Sequence, residues 1–475
     1  MAVHEVSSTL AQTQLRNTHV MRSYSTRVTR TVAALAAVVA FGCTKGDKPA
    51  AADSMAQGAV AATTTCAGDN GGLTLPAGFC ATVFADSLGH VRHLVVASNG
   101  DVYANSWSSK YYPDGSTPPA PFLVAMRDTN HDGRADVIAR FGDSLANGGS
   151  GGTGIALYKN ALFAESKDKI VRYAMDSSFT PKGAPSTVVS GLPLSGDHPM
   201  HPFVIDGTGQ LFMDVGTKTN SCQVKNRTLK SPGIHPCTEL ETRGGIWSYD
   251  ANKTRQSFSP AGRYATGIRN AVGIALDASG QLFSTQHGRD QLGDNWAGLY
   301  TPQQGADLPA EELLKIQKGG DYGWPKCYFD ATQKKLVLAP EYGGDGGKAV
   351  GDCDKKIEPV KYFPAHWAPD ALVFYNGSQF PASYKGGAFI AFHGSWNRAP
   401  EPQEGYRVVF VPFAGGSPQD DYETFAYDFA GAPNPQPTTA KYRPAGLAVA
   451  PDGSLYIADD VHGRIWHVTY KGDAK

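Results

Sequence analysis

HLVVASNGDVYANSW from His93, GIALYKNALFAES from Gly154 and PFVIDGTGQLFMDVG from Pro202 are three copies of one pattern. Three more copies follow: VGIALDASGQLFSTQHG from Val272, ALVFYNGSQFPASYKGGAFIAFHGS from Ala371 and GLAVAPDGSLYIADDVHG from Gly446. The copies alternate apolar and polar residues around turns such as Asn-Gly, Asp-Gly or Ser-Gly, which predicts β-hairpins. Their starts lie roughly 50 to 100 residues apart, an interval typical of propeller blades. The pattern therefore predicts an all-β fold, a six-bladed β-propeller of four-stranded antiparallel blades.

The composition agrees with this fold. The chain has 475 residues, and a single propeller domain can account for most of this length. Its 54 glycines, 31 prolines and 18% charged residues are typical of a turn-rich β protein. A net charge of -1 gives no electrostatic reason to expect a nucleic-acid partner. Radially packed blades enclose a central funnel lined by loops, so a small ligand is expected there.

An export signal is predicted near the N-terminus, beginning at Met21. Basic residues in MRSYSTRVTR precede the apolar run TVAALAAVVAFG, which ends just before Cys43. This order is typical of a bacterial signal peptide, and the run is too short to span a bilayer. The sequence Ala-Phe-Gly-Cys around Cys43 resembles a lipoprotein cleavage box, which favours lipidation of Cys43 over simple secretion.

These features divide the chain into three predicted regions. Residues 1–43 form a signal region, of which residues 1–20 are interpreted as an upstream start-site artefact. Residues 44–65 are rich in Ala, Ser, Thr and Gly and predict a disordered linker. Residues 66–475 form the propeller domain.

The cysteines support an exported protein. Without Cys43, six of the seven cysteines remain, and they fall into pairs that are close in sequence. In an oxidising compartment we predict three disulfides, although six cysteines allow about 15 pairings. Zinc binding is disfavoured because no Cys-x-x-Cys spacing occurs. The predicted pairs are Cys66–Cys80, Cys222–Cys237 and Cys327–Cys353.

The segment DTNHDGRAD from Asp128 resembles a calcium-binding loop. Oxygen-bearing side chains alternate along it, and a glycine at the sixth position permits a sharp turn. It lacks the glutamate at the twelfth position and the flanking helices of an EF-hand. We expect a weak structural calcium site rather than a plain hairpin with Asx turns. The candidate ligands are Asp128, Asn130, Asp132, Arg134 and Asp136.

The loops that enter blades three to six each carry a cationic or histidine-bearing cluster. Before the third hairpin stand Asp197 and His198, which are interpreted as a base with its carboxylate, as metal ligands, or as surface residues. Before the fourth stand Arg269 and Asn270, which suit either a bound carboxylate or a structural ion pair. In a radial repeat these clusters should converge on one anionic or polyoxygenated ligand. The clusters of the last two blades contain His366, Trp367 and Arg398, and Lys441 and Arg443.

These motifs resemble those of the soluble sugar dehydrogenases that use pyrroloquinoline quinone (PQQ), in particular the sorbosone dehydrogenase-like and aldose sugar dehydrogenase-like branch. The resemblance extends from about Leu75 to Tyr470. It rests on the order of four motifs along the hairpins: Asp197-His198, GIRNAVGIALD, GGDYGWP and KYRPAGLAVAPDG.

The resemblance implies a cofactor and a mechanism. PQQ would lie in the funnel with calcium held by the backbone carbonyls of Gly288 and Arg289. His198, assisted by Asp197, would take a proton from the sugar while hydride passes to the quinone. The implied cofactor-binding residues are Arg269, Asn270, Lys441 and Arg443, with Arg398 replacing a lysine and His366 and Trp367 as a loosely aligned aromatic clamp.

The expected function is therefore oxidation of an aldose or related sugar in the periplasm, with membrane contact only through a lipid anchor. Electrons would pass to a membrane quinone or a separate cytochrome, since the sequence has no haem motif. One alternative is a calcium-dependent lactonase, which needs carboxylates around an axial metal. A second is a carbohydrate-binding propeller without catalysis. Candidate carboxylates for the lactonase are Asp197, Asp214, Asp459 and Asp460.

Overall fold

The computed structural model describes residues 66, 68–107, 121–143, 151–419 and 421–472. The predicted signal region and the linker to residue 65, with Cys43, lie outside these residues. Within the described part of the chain, no helix combines the length and the apolar character that crossing a membrane would require.

The described residues form the predicted six-bladed β-propeller, and all six predicted hairpins are confirmed as the first two strands of a blade. The first strand among the described residues is β1 (Phe79–Ala85). Blade 1 then consists of β2 (Val91–Val96), β3 (Val102–Ser106), β4 (Leu123–Arg127) and β5 (Val137–Phe141). Blade 2 consists of β6 (Ile155–Tyr158), β7 (Ala161–Ser166), β8 (Lys169–Ala174) and β9 (Ser186–Ser190).

The next two blades follow the same antiparallel order. Blade 3 consists of β10 (Phe203–Ile205), β11 (Gln210–Val215), β12 (Gly245–Asp250) and β14 (Arg263–Thr266). The short β13 (Gln256–Ser257) instead pairs in parallel with β9 and gives blade 2 a fifth strand. Blade 4 consists of β15 (Ile274–Leu276), β16 (Leu282–Gln286), β17 (Glu311–Lys315) and β20 (Lys361–Phe363).

The last two blades bring the chain back to its first strand. Blade 5 consists of β21 (Pro369–Phe374), β22 (Ala388–Phe392), β23 (Arg407–Val411) and β26 (Glu423–Ala426). Blade 6 consists of β27 (Pro444–Val449), β28 (Leu455–Asp459), β29 (Ile465–Tyr470) and β1. Strand β1 pairs antiparallel with β29, from Phe79 opposite Tyr470 to Val83 opposite Trp466. The two ends of the domain thus share one blade, which closes the ring and covers a strand edge.

The remaining elements lie in the connections. Two small antiparallel sheets pair β18 (Cys327–Asp330) with β19 (Lys335–Leu338), and β24 (Phe413–Ala414) with β25 (Ser417–Pro418). The α-helices are α1 (Leu292–Asn295) and α2 (Pro302–Asp307). Short 3-10 helices span Asn70–Gly72, Thr238–Glu241, Pro260–Gly262, Pro340–Tyr342, Gly351–Lys355 and Ala382–Tyr384.

The core lies between neighbouring blades. Between blades 5 and 6, Phe79 from the closing strand packs edge-on against Phe380 and Phe425, with ring centroids 4.8 and 5.0 Å apart. Fully burying a side chain of this size contributes about 1.5–3 kcal/mol to folding. The alternation of the sequence therefore places one face of each hairpin against the next blade.

All three predicted disulfides are confirmed. They join Cys66 to Cys80, Cys222 to Cys237, and Cys327 to Cys353. The first ties the start of the described chain to β1, and the third ties β18 to a neighbouring 3-10 helix. Disulfides of this number are typical of exported proteins.

Candidate active site in the axial funnel

A cavity of about 1450 Å³ lies where the loops entering and leaving the blades meet. Seven of the residues predicted for the site line it, and they come from the loops of blades 3 to 6, as the cluster argument expects. These residues are Asp197, His198, Arg269, Asn270, Gly288, His366 and Arg443.

His198 is 6% exposed on the wall of this funnel. Its Nδ1 lies 3.0 Å from the carbonyl oxygen of Thr217 and 2.9 Å from the Thr217 hydroxyl. A ring that donates from Nδ1 to the carbonyl keeps Nε2 as its proton acceptor. Gly216 permits this position, because a Cβ there would lie 2.6 Å from the His198 Cβ.

The electrostatic surroundings keep His198 neutral. Burial, and next the positive charge of Arg269, hold the pKa of His198 well below its usual value of 6.5, although Asp290 acts in the opposite direction. A neutral imidazole at pH 7 can accept a proton, which is the property a general base needs.

Asp197 makes other contacts than the predicted one with His198. Its Oδ2 accepts hydrogen bonds from Arg227 Nε at 2.9 Å and Asn226 Nδ2 at 3.1 Å. In the structure it is Thr217, and not Asp197, that makes the hydrogen bond orienting His198. Sequence patterns cannot find this partner, because Thr217 reaches His198 only when Gly216 packs against the histidine.

Arg269 is the centre of a charged network beside His198. Its Nη2 lies 2.8 Å from Asp290 Oδ2, and its Nη1 donates to the carbonyl of Gly288 at 2.9 Å. Arg227 contacts the same Asp290 oxygen at 2.9 Å. Burial alone would raise the pKa of Asp290, but the two guanidinium groups outweigh it and hold the pKa well below its usual range.

Asn270, next to Arg269, carries an unused acceptor. Its Oδ1 is buried and has no hydrogen-bond partner among the described residues. A buried polar atom without a partner costs free energy, so a ligand or water that donates to Asn270 would be stabilising.

A second charged cluster lies in the same funnel around Arg92. Arg92 bridges Asp460 and Asp370, with its Nη2 3.0 Å from Asp370 Oδ2. His393 Nε2 lies 2.7 Å from Asp460 Oδ1, and His287 Nε2 lies 3.2 Å from Asp370 Oδ1. Asp370, His393 and Asp460 form a group with metal-ligand spacing, in which Arg92 already forms an ion pair with each of the two carboxylates.

The two titrating partners of Asp370 are shifted in different directions. Burial lowers the pKa of His287, but the hydrogen bond and charge of Asp370 outweigh it, so the net pKa lies above 6.5. Burial also dominates for His393 and holds its pKa below 6.5, with Arg443 adding to the effect.

The sequence motifs did not identify Arg92 or Asp370. Arg92 immediately precedes the first hairpin quoted above and Asp370 immediately precedes the fifth, so both stand at the entrance of a blade. A comparison of the blade entrances that included blade 1 would have found Arg92.

Glu311 is a further buried carboxyl group on the funnel wall. It accepts hydrogen bonds from the backbone N–H of Gly288 at 2.8 Å and of Ala368 at 2.9 Å. Burial raises its pKa to about 7. Glu311 begins β17 next to Glu312, and an acidic pair of this kind is typical of an exposed surface, so the sequence gives no signal that Glu311 is buried at a site.

Four predicted cofactor or metal residues point their side chains elsewhere. Trp367 donates to Glu404 at 3.2 Å, and Arg398 donates to the carbonyls of Ala306 and Ala365 at 3.1 and 3.0 Å. Lys441 is exposed, with its ammonium group 5.3 Å from the centre of the Tyr442 ring. Arg289 forms a buried ion pair with Glu341 at 2.5 Å, so only its backbone is available to a cation.

The loop from Asp128 lies between β4 and β5 and is separate from the funnel. Asp128 accepts hydrogen bonds from the backbone N–H groups of His131 at 2.6 Å and Gly133 at 2.7 Å. Asp132 accepts one from Arg134 N, and Asp136 accepts from Thr129 and Asn130. These bonds are those of Asx turns, and calcium binding by the loop stays a prediction.

The carboxylates proposed for a lactonase do not meet at one point. Asp214 is fully buried, and burial raises its pKa well above the usual value. Asp459 accepts backbone hydrogen bonds from Arg443, Val461 and His462, and burial and Asp460 raise its pKa to about 7. Only Asp197 and Asp460 of this group line the funnel.

The residues present in the funnel fit an anionic, planar quinone with a divalent cation. Arg269 and Arg443 place positive charge on the funnel wall, which suits the carboxylates of the ligand, and the unused acceptor of Asn270 suits a donor group of the ligand. Near Arg269, the carbonyl of Gly288 and the carboxyl group of Glu311 provide the oxygen ligands that calcium prefers.

Comparison with known proteins gives a family. The TrAA12-like family model matches residues 145–471. Over 211 residues the chain is 30% identical to an uncharacterized protein of Borreliella burgdorferi, covering 44% of this chain and 48% of that protein. Over 231 residues it is 26% identical to the pyrroloquinoline quinone-dependent pyranose dehydrogenase of Coprinopsis cinerea, covering 42% and 30% of the two chains. The matched segment thus spans less than half of these relatives.

Solved structures share the fold. The iodide and calcium structures of a Trichoderma reesei protein of Carbohydrate-Active Enzymes Family AA12 each align with a TM-score of 0.66 at 18% identity, over 84% of this chain and 98% or 97% of that chain. The holo form of the PQQ domain of the Coprinopsis cinerea pyranose dehydrogenase aligns with a TM-score of 0.62 at 19% identity, over 84% and 97%. Since the family model matches well over half of the sequence, and the propeller is the one seen in these structures, the chain belongs to the TrAA12-like family.

Proposed function

We propose that the protein is an exported, PQQ- and calcium-dependent dehydrogenase that oxidises an aldose or a related sugar aldehyde such as a sorbosone. Family membership and the PQQ-dependent pyranose dehydrogenase among its relatives support the reaction class. The three disulfides support export, and the signal-like segment before Cys43 supports a periplasmic or outer-membrane lipoprotein.

The observation that carries the proposal is the convergence of separate blade entrances on one funnel. His198 from blade 3, Arg269 and Asn270 from blade 4, and Arg443 from blade 6 all line the same cavity of about 1450 Å³. A quinone with several carboxylates and a sugar rich in hydroxyls both need such a mixed set of donors and acceptors.

Three residues would hold the quinone from different sides. Arg269 and Arg443 would bind its carboxylates, and Asn270 would hydrogen-bond with a polar group of the ring system. Arg269 is already oriented by Asp290 and by the carbonyl of Gly288. A guanidinium that is held in place before binding loses less conformational freedom when the ligand arrives.

Calcium would be held near the carbonyls of Gly288 and Arg289, with Glu311 close by. When bound, the quinone supplies the hydride acceptor and calcium supplies the Lewis acid that polarises it. Burial raises the pKa of Glu311 to about 7, and a nearby cation would favour its ionised form.

His198 would act as the general base. Its Nδ1 is directed to Thr217, so its Nε2 would accept the proton of the anomeric hydroxyl. Burial, and next the positive charge of Arg269, hold the pKa of the ring low and keep the base neutral before the reaction. After proton transfer, Asp290 would help to stabilise the imidazolium.

The test is reconstitution of the purified protein with PQQ and calcium, followed by a dye-linked assay over a panel of aldoses and sugar aldehydes. We expect turnover that depends on both additions. Lactone hydrolysis with calcium alone would establish the lactonase alternative instead. Sugar binding without turnover under any addition would establish a binding propeller. The physiological acceptor, a membrane quinone or a cytochrome in this proposal, is tested afterwards by replacing the dye.

A further inference from the structure

Trp396 stands at the opening of the funnel, and its exposure differs from that of its neighbours. It is 52% exposed, whereas His198, Asp370 and Asp460, which line the same cavity, are 6%, 4% and 1% exposed. The difference places Trp396 at the outer end of the funnel and the charged residues at its floor. Within the described residues, no aromatic pair or apolar core cluster includes Trp396.

The loop that carries Trp396 is held firmly on both sides. The preceding Ser395 is fully buried, and its carbonyl accepts a hydrogen bond from Tyr406 at 2.8 Å. The following Asn397 donates to Asp290 in the funnel at 3.0 Å, and the next residue, Arg398, is buried among backbone carbonyls. Trp396 is therefore the one residue of 395–398 that is exposed.

A rigidly presented aromatic side chain beside a polar cavity suits a sugar ring. The face of a pyranose is lined by C–H groups and packs on an aromatic ring, while its hydroxyls hydrogen-bond at the ring edge. Holding the loop in advance lowers the entropy cost of binding. Pro437 and Thr438 also line the cavity and offer an apolar surface and a hydroxyl.

We propose that Trp396 is the platform of an outer sugar subsite, on which the second residue of a disaccharide or oligosaccharide stacks. The reducing-end residue would then lie deeper, towards His198. The cavity of about 1450 Å³ exceeds the range of about 300–1000 Å³ usual for a pocket with one small ligand, as expected for a funnel that holds the quinone and a saccharide together. This inference rests on the proposed sugar oxidation and extends its substrate class to saccharide chain ends.

Steady-state kinetics of the reconstituted enzyme with glucose and with maltose test the subsite. Trp396→Ala should lower kcat/KM for maltose about tenfold, mainly through KM, and leave kcat/KM for glucose within about twofold. Trp396→Phe should retain most of the maltose activity. Tyr427→Ala is the matched control, because Tyr427 is a 43% exposed aromatic residue outside the cavity.

A direct binding measurement separates this proposal from the proposed reaction. Calorimetric titration of the protein without cofactor should show tighter binding of methyl maltoside than of methyl glucoside, and Trp396→Ala should abolish the difference. Equal losses for glucose and maltose, or weaker PQQ binding by Trp396→Ala, would assign the indole to the cofactor and overturn the subsite. Failure of wild-type turnover with preserved maltoside preference would overturn the dehydrogenase alone.

Discussion

At the residue scale, His198 combines burial, a low pKa and a hydrogen bond that fixes its ring. His198→Ala should bind PQQ and calcium almost normally and lose turnover by about 10²–10⁴, the usual contribution of a general base. His462→Ala is the matched control, because His462 lines the same funnel but is exposed. The measurement is the rate of PQQ reduction in the two variants, followed by stopped flow. Equal reduction rates would show that His198 is not the general base.

The low pKa of His198 also fixes the direction of the pH dependence. The neutral ring is the active form, and its pKa lies well below 6.5, so the base is already neutral throughout the range above pH 6.5. As the pH falls through the folded-state pKa, His198 gains a proton and kcat/KM should fall. A pH profile of kcat/KM should therefore be level from about pH 6.5 to 8 with respect to this group. An acidic limb centred above pH 6.5 that is lost from the residual activity of His198→Ala would contradict the assignment. A limb that this variant keeps belongs to another funnel group such as Glu311, whose pKa burial raises to about 7.

Arg443 and Lys441 were predicted together but occupy different surroundings. Arg443 lines the funnel and donates to the carbonyls of His393 at 3.0 Å and Gly394 at 2.7 Å, whereas Lys441 is exposed. A charge-assisted hydrogen bond contributes about 1.5–3 kcal/mol. Arg443→Ala should thus weaken PQQ binding tenfold or more, and Lys441→Ala should change it little. Fluorescence titration with PQQ compares the two variants. If Lys441→Ala weakened PQQ binding more than Arg443→Ala, the cofactor would lie nearer the outer opening of the funnel.

At the element scale, the loop between β4 and β5 joins two blades. Besides its internal Asx turns, the backbone N–H of Ala135 donates to the carbonyl of Phe84 in β1 at 2.8 Å. If the loop binds calcium, Asp132→Ala should lower the melting temperature in calcium buffer and have little effect after chelation, because the carboxylates repel one another without a cation. Thermal unfolding in both buffers tests this, with Asp143→Ala as an exposed control. Equal losses in both buffers would identify a plain turn.

The hairpins could be predicted from the sequence because their signals are local. An apolar alternation lies within each repeat, and most of the turns contain a glycine, such as Gly100 or Gly453 with φ near +90°. The fifth strand of blade 2 gave no such signal, since β13 has only two residues and pairs with β9 far along the chain. The small sheets between the blades are likewise too short to have a readable period.

The site could be predicted only as far as the repeat itself positions it. Residues at the entrances of blades 3 to 6 were expected at the axis, and most of them line the funnel. Two predicted residues make contacts that the sequence did not indicate: Arg398 donates to backbone carbonyls, and Asp197 accepts from Arg227. Such choices depend on elements that are distant in sequence, so no spacing rule could reveal them.

At the scale of the whole molecule, stability depends on the closure of the ring by β1. This strand pairs with β29 and packs Phe79 against blade 5, while Cys66–Cys80 fixes its beginning. The disulfide closes a short loop with a sequence separation of 14, for which loss of the cross-link costs about 3 kcal/mol in the chain-entropy model. The double variant Cys66→Ser/Cys80→Ser should therefore unfold at a clearly lower denaturant concentration.

The Cys327–Cys353 bond provides the comparison, because it lies in the connection between β17 and β20 and not in the closing blade. Cys327→Ser/Cys353→Ser should destabilise its own region and leave the protection of β1 and β29 from hydrogen exchange nearly unchanged. The Cys66→Ser/Cys80→Ser variant should instead expose the amides of both strands together, since the strand at the N-terminal end and the strand at the C-terminal end hydrogen-bond to each other. Exchange that stays slow in β1 without its disulfide would show that the ladder and the aromatic packing close the ring by themselves.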